Sequence, residues 1–184
     1  MISGVVTLTA DVVIRPVTSD DAAALARAYR RNRAHLDPWD PARPEAFFTA
    51  EGQAERVRAQ LADGRAGRSA HWVLDSGGEI VGHTALSNIV LGPVRSANLG
   101  YWIDAERQGQ GLASAAALHA CAAADAQLGL HRVEAGTLLH NTASQRVLTK
   151  CGFEEYGLAP GYLYVNGAWR DHRLFQKILN DRPA

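Results

Sequence analysis

Gln108-Gly109-Gln110-Gly111-Leu112-Ala113-Ser114 is the segment on which the reading of this chain turns. The apolar run Ala97–Ile103 before it reads as a strand, and the alanine-rich stretch Gly109–Leu128 that it opens reads as a long helix. Glycines between a strand and a helix let the backbone approach a ligand closely and bare the first amides of the helix. Those unpaired N–H groups, at the positive end of the helix dipole, make an anion site. No Ser, Thr, Asp or Asn stands at the obvious N-cap, so an external anion can take the cap's place.

The flanks extend this into an α/β chain. Asp11–Val17 reads as a strand, and Thr18, Ser19 or Asp20 can cap a helix from about Asp21 to His35. Prolines 38, 41 and 44 make a stiff turn. A second helix is predicted from Glu45 to Leu61, with Phe47, Phe48, Ala54, Val57 and Leu61 inward. Strands follow at His71–Leu74 and Ile80–Leu91 around the turn Asp75–Gly78. After the long helix come a strand at Arg132–Thr137, a short helix at Asn141–Lys150, and strands at Gly152–Gly157 and Trp169–Ile178. Tyr162–Val165 extends or brackets these last strands at the hairpin signal Asn166-Gly167. The order implies an antiparallel start and one parallel crossover.

Composition bounds the rest. The 184 residues suit one domain, 1–184, at roughly 100–200 residues per domain. Nineteen Lys+Arg balance nineteen Asp+Glu, which excludes a broadly basic surface that coats nucleic acid. Cys121 and Cys151 form no CxxC and no zinc spacing, so they read as buried free thiols in a reducing compartment. Met1–Ala10 lacks a basic segment followed by a long apolar one, and no run of about 18 apolar residues occurs. A cytoplasmic protein with no membrane partner is expected.

Three phosphate loops compete for residues 108–114. A P-loop requires Lys-Ser or Lys-Thr after its last glycine, and neither is present. A dinucleotide fingerprint requires a third glycine where Ser114 stands, and Asp104–Arg107 separate the loop from its strand. The pattern [QR]-x-x-G-x-[GA] is met by Gln108, Gly111 and Ala113. Further segments fall in register with it: Leu99-Gly100-Tyr101-Trp102-Ile103-Asp104 before the loop, then Asn141-x-x-Ser144 followed by Gly152-Phe153. In these segments the chain resembles the GNAT superfamily of N-acetyltransferases. Asn32-Arg33-x-x-Leu36-x-Pro38-Trp39-x-Pro41 and Gly167-Ala168-Trp169-Arg170-Asp171-His172 are similar to its RimJ/RimL branch, which acetylates the α-amino group of ribosomal proteins.

The resemblance implies a mixed twisted sheet of about seven strands, with splayed parallel strands four and five, flanked by about four helices. It implies acetyl-CoA as co-substrate and no metal. Backbone groups of Tyr101, Trp102 and Ile103 would pair with the pantetheine arm. Gln108, Gly109, Gln110, Gly111, Leu112, Ala113 and Ser114 would hold the pyrophosphate, and Asn141 would bind the arm. Ser144 would protonate the leaving thiolate. Trp39 and Asp40 would meet the acceptor, with Asp37 in the same turn. Arg107, Arg146 and Lys150 flank the expected coenzyme site, though solvated helix charges are the commoner case.

The general base is the departure from pattern. The branch often carries Glu before the glycine of G-F-x-x-E-G, and here that position is Tyr156. Glu155, shifted by one, is the nearest carboxylate and is named as the catalytic candidate beside Ser144; Glu134, His140, Glu154 and Tyr162 are further candidates. An acceptor α-amine is favoured, on a protein or peptide N-terminus such as a ribosomal protein's, attacking directly in a ternary complex. The alternatives are a small amine (polyamine, amino acid or aminoglycoside) or a non-catalytic acyl-CoA-binding module. The partners expected are acetyl-CoA and the amine, with no direct nucleic acid, in a monomer or homodimer.

Overall fold

The computed structural model describes residues 4–183. The first three residues of the Met1–Ala10 stretch lie outside the described residues. In chain order the strands and α-helices are β1 (Val6–Thr7), β2 (Val13–Pro16), α1 (Ala22–Arg31), α2 (Arg33–Leu36), α3 (Ala50–Arg65), β3 (Ala70–Ser76), β4 (Glu79–Val90) and β5 (Ser96–Ile103). There follow α4 (Leu112–Ala126), β6 (Arg132–Leu138), α5 (Thr142–Lys150), β7 (Glu154–Val165) and β8 (Ala168–Ile178). The strands form one sheet in the order β1-β2-β3-β4-β5-β6-β8-β7. Among the described residues only β5 and β6 run parallel, and α4 makes the crossover between them.

Sequence and structure differ in counts and phase. The described residues form eight strands rather than about seven, because Val6–Thr7 adds a short edge strand; the splayed parallel pair is therefore the fifth and sixth. Among the described residues five α-helices replace about four, because the first predicted helix breaks at Asn32. The second predicted helix is a 3-10 turn at Glu45–Phe48 followed by α3, which Thr49 caps by accepting from the Gly52 amide at 3.0 Å. The buried residues of α3 are Gln53, Val57 and Gln60, while Leu61 packs half-buried against the same core and Ala54 is half-buried. Gln53 is tolerated inside because its amide donates to the Phe47 carbonyl at 2.6 Å. Gly52 is required there: a Cβ would stand 1.9 Å from the Ala46 carbonyl oxygen.

Two cores sandwich the sheet. On one face the alanines of α4 (Ala116, Ala117, Ala120, Ala123 and Ala124) approach Trp72, Leu74, Leu99 and Val133. On the other, Leu25, Ala28 and Tyr29 of α1 and Val57 of α3 cover Val73 and Ile80. The hairpin at Asn166-Gly167 has φ +49° and +77°, the paired left-handed turn that Asn-Gly favours. Cys121 and Cys151 are buried and free. No helix among the described residues is long and apolar enough to cross a membrane.

Asp104, at the exit of β5, is 2% exposed and ties the two halves together. It accepts from Arg31 Nε at 2.8 Å, Asn32 Nδ2 at 2.9 Å and the Glu106 amide at 3.0 Å. Asn32 Oδ1 in turn accepts from the Ala105 amide at 2.9 Å. The break between α1 and α2 is thereby fastened to the strand that leads into the 108–114 loop.

Candidate active site

β5 and β6 are paired only from Ser96–Asn98 to Arg132–Glu134. Beyond that register β5 continues to Ile103 and β6 to Leu138, so the strands fork. A cavity of about 500 Å³ lies in the fork, lined by Asn98–Tyr101 and Glu134–Leu138 among others. Alternation assigns its two sides. Leu99 and Ile103 belong to the α4 core and Tyr101 packs on it, whereas Trp102 packs on the α1/α3 core. Asn98 and Glu134 are register partners and share the α1/α3 face, with Gly136 and Leu138 next along β6.

The anion loop lies at the end of β5 on the α4 side. Gly109 and Gly111 have φ +74° and +78°, and Gly111 is the N-cap of α4, with no side-chain cap. Ala115 is the first residue of this turn whose amide finds a backbone acceptor, Gly111 O at 3.0 Å. The amides of Gly109–Ser114 have no protein acceptor among the described residues. That row of bare donors, on glycines where a Cβ would meet nothing within 4 Å, fits a pyrophosphate. Gln108 bonds His35 at 3.1 Å, Leu112 anchors the helix in the core, and Gln110 is exposed.

Ser144 and Asn141 line the cavity from the first turn of α5. Asn141 Oδ1 caps that helix by accepting from the Ser144 amide at 3.0 Å. Ser144 Oγ lies 2.9 Å from the Tyr101 hydroxyl. Burial pushes the Tyr101 phenol up to about 12, so it keeps its proton at neutral pH. Trp102 and Ile103 turn their side chains away: the indole donates to the Tyr29 hydroxyl at 2.9 Å and Ile103 is core. What they offer the fork is backbone.

On the opposite face Trp39, Asp40 and Pro41 close over the cavity, together with Tyr156, Tyr162 and His172 of the β7–β8 hairpin. Trp39 stacks on His140 with centroids 5.4 Å apart, fastening the proline turn to the β6–α5 connection. Desolvation raises the Asp40 carboxyl above its usual range, against the pull of Arg43 and Arg56. Glu155, the carboxylate expected to act as base, lies away from the cavity. It pairs with Phe175, a residue of the α4-side core, so it sits on the other face from Glu134. It is outside the cavity lining and makes a two-bond ion pair with Arg173 at 2.8 and 3.0 Å. Arg107, which the sequence placed beside the coenzyme, pairs with Asp11 at 2.7 Å. Among the described residues no group of three or more His, Cys, Asp or Glu could hold a metal ion.

A family model for an acetyltransferase (GNAT) domain matches residues 11–154. The chain belongs to the GNAT acetyltransferases. This acetyltransferase is 36% identical over 172 residues to the [ribosomal protein uS5]-alanine N-acetyltransferase of Escherichia coli (strain K12), covering 92% of this chain and 89% of that one. The ribosomal-protein-S5-alanine acetyltransferase of Vibrio fischeri superposes with a TM-score of 0.94 at 34% identity, over 98% of this chain and 100% of that one. RimJ of Mycobacterium smegmatis, solved in complex with CoA-disulfide, superposes with a TM-score of 0.89 at 36% identity, over 95% and 86%. The likeness to the RimJ/RimL branch therefore holds over nearly the whole acetyltransferase.

Sequence reasoning used Tyr101 only for its backbone. Its hydroxyl, on Ser144, was signalled by the alternation that puts residues 97, 99, 101 and 103 on one face. Asn32 and Asp104 carried no such local signal, being 72 residues apart.

Proposed function

We propose that this N-acetyltransferase moves the acetyl group of acetyl-CoA directly onto the N-terminal α-amine of a ribosomal protein, with both substrates bound at once. The observation that carries this reading is a cavity passing through the sheet, with thiol-side groups on one face and acceptor-side groups on the other. Acetyl-CoA supplies an activated thioester. The Gly109–Ser114 amides hold its pyrophosphate, and the unpaired edge of β5 at Tyr101–Ile103 takes the pantetheine arm as an added strand. An amide of that edge polarises the thioester carbonyl. The Asn141 side-chain NH2, left over from capping, donates to the arm.

Ser144, held by Tyr101 at the positive end of α5, protonates the departing thiolate. Thiols leave readily, with pKa near ~8.5, so the help is modest. Ser144→Ala is expected to lower kcat by about ten- to a hundred-fold with little change in KM for acetyl-CoA. Unchanged single-turnover rates would remove Ser144 from the chemistry.

The acceptor side favours an N-terminus. Its rim is open, with Tyr156 46%, Tyr162 41% and Leu163 45% exposed, so a chain can continue outward past it. Asp40 faces an incoming cationic amine. An α-amine, pKa about 7.7–8.0, is partly neutral at pH 7, whereas a lysine at about 10.4 is almost wholly charged. The curated relative named for the alanine of uS5 supports a small first residue, and a ribosomal acceptor puts the reaction in the cytoplasm. Short peptides with N-terminal Ala should show higher kcat/KM than the same peptides blocked at the N-terminus with a free lysine. The rate should rise between about pH 6.5 and 8.5 as the amine loses its proton. A preference for the blocked set, or rapid turnover of polyamines alone, would contradict the N-terminal reading.

A further inference from the structure

An amine that attacks a thioester must shed a proton, and Ser144 serves the leaving group instead. The other face of the fork holds a pair suited to take it. The Tyr156 hydroxyl donates to Glu134 Oε1 at 3.0 Å, and both residues line the cavity. Glu154 shares the Glu134 face across Gln176, so alternation returns Tyr156 to that face, just ahead of the bulge that shifts Gly157 onto Leu174. Glu134 stands at the last paired position of the fork, opposite Asn98, where the gap between the strands begins. Its side chain is 23% exposed, and Arg132 Nη2 contacts the same oxygen at 3.1 Å. A phenol that gives its one proton to a carboxylate keeps its lone pairs for a donor arriving from the cavity.

We propose that Tyr156 and Glu134 form a proton relay that takes the proton of the attacking amine. The amine nitrogen bonds to the thioester carbonyl carbon and the carbon–sulfur bond breaks. The N–H proton passes to Tyr156 Oη as the phenol's own proton passes to Glu134. The carboxylate ends as a carboxylic acid, the tyrosine is unchanged, and the sulfur takes the Ser144 hydroxyl proton and leaves as the thiol; Ser144 then regains a proton from water as Glu134 releases its own to water. Tyr156 touches the amine; Glu134 acts through it. This rests on the cavity being the site of amine acetylation.

The surroundings favour transfer through a neutral phenol. Burial and the neighbouring Glu134 charge both raise the Tyr156 phenol, so it hands a proton on rather than ionising. The other titratable groups of this face have partners elsewhere or stand apart. Tyr162 stacks on His172 at 5.3 Å, His172 Nδ1 lies 3.0 Å from the Arg170 carbonyl, and Asp40 pairs with Arg43 at 3.7 Å. Glu154 shares the face across Gln176 but does not line the cavity.

The test uses the full chain, acetyl-CoA and an N-terminal Ala peptide, following thiol release. Tyr156→Phe and Glu134→Gln should each lower kcat/KM for peptide by about ten- to a hundred-fold, with KM for acetyl-CoA unchanged. Acting as one unit, the two together should cost little more than either alone. A carboxylate placed directly at 156 should bypass the relay. Glu134→Gln with Tyr156→Glu is thus expected to be at least about tenfold faster than Glu134→Gln with Tyr156→Phe. Acetyl-CoA titration reports that each variant is folded. Single variants within twofold of wild type, or no rescue by Tyr156→Glu, would overturn the relay alone. Wild-type protein that binds acetyl-CoA yet acetylates no amine would overturn the acetyl-transfer reading and the relay together.

Discussion

Replacing Gly111 by glutamate is expected to abolish acetyl-CoA binding while leaving the fold in place. Gly111 caps α4 at φ +78°, and a Cβ built there meets nothing within 4 Å. The folded protein therefore bears only the strain of a left-handed side chain, about 1–2 kcal/mol. The bound state is expected to bear far more, because the new carboxylate enters the row of bare amides proposed to hold the pyrophosphate. Like charges about 4 Å apart repel by about 4 kcal/mol at an effective dielectric of 20, which predicts a loss of at least about a hundred-fold in affinity. Gly111→Ala separates the two effects: it keeps the strain, omits the charge, and should retain most of the affinity. Isothermal titration reads both. Gly111→Glu binding as tightly as wild type would show that the coenzyme does not use this loop.

Asp104→Ala should produce the largest loss of stability among the changes considered. It would strip partners at once from Arg31, Asn32 and the Glu106 amide around a residue that is 2% exposed. Removing one member of a buried ion pair costs about 3–5 kcal/mol, and Arg31, with its side chain 35% exposed, regains some water. About 2–4 kcal/mol remains, a drop in Tm of about 5–15 °C for a chain of this length. The pH dependence has a fixed sign. Burial raises the Asp104 carboxyl, but hydrogen bonds from Asn32, the Glu106 amide and Arg31 outweigh it, and the net shift is downward. A carboxylate depressed by folding stabilises above its unfolded pKa, about 3.9, and that stability is lost as pH falls through the folded value. Wild type should thus lose this increment below about pH 4, and Asp104→Ala should show a flatter acid limb. A Tm within about 2 °C of wild type would show that the α1–α2 break does not depend on Asp104.

The parts of the site that sequence made legible are those written locally. Gly109 and Gly111 announce a helix that starts bare, and Asn141 with Ser144 announces a capped turn three residues long. The parts it concealed depend on register between distant strands. Alternation puts Glu155 and Tyr156 on opposite faces, but which of the two meets the cavity depends on the pairing of β7 with β8, where Glu155 opposes Phe175. The Tyr156–Glu134 bond joins residues 22 apart, and Asn32–Asp104 joins residues 72 apart. Likewise the burial of Gln53 and Gln60 beside Val57 follows from which side of α3 packs on α1 and the sheet, which no local residue pattern carries.

The acetyl group is expected on an N-terminal α-nitrogen. The direct measurement is tandem mass spectrometry after incubating the protein with isotopically labelled acetyl-CoA and a peptide bearing both an N-terminal Ala and an internal Lys. The label should appear on the α-nitrogen alone. Label on the lysine ε-nitrogen, or an unmodified peptide beside a rapidly acetylated small amine, would contradict it.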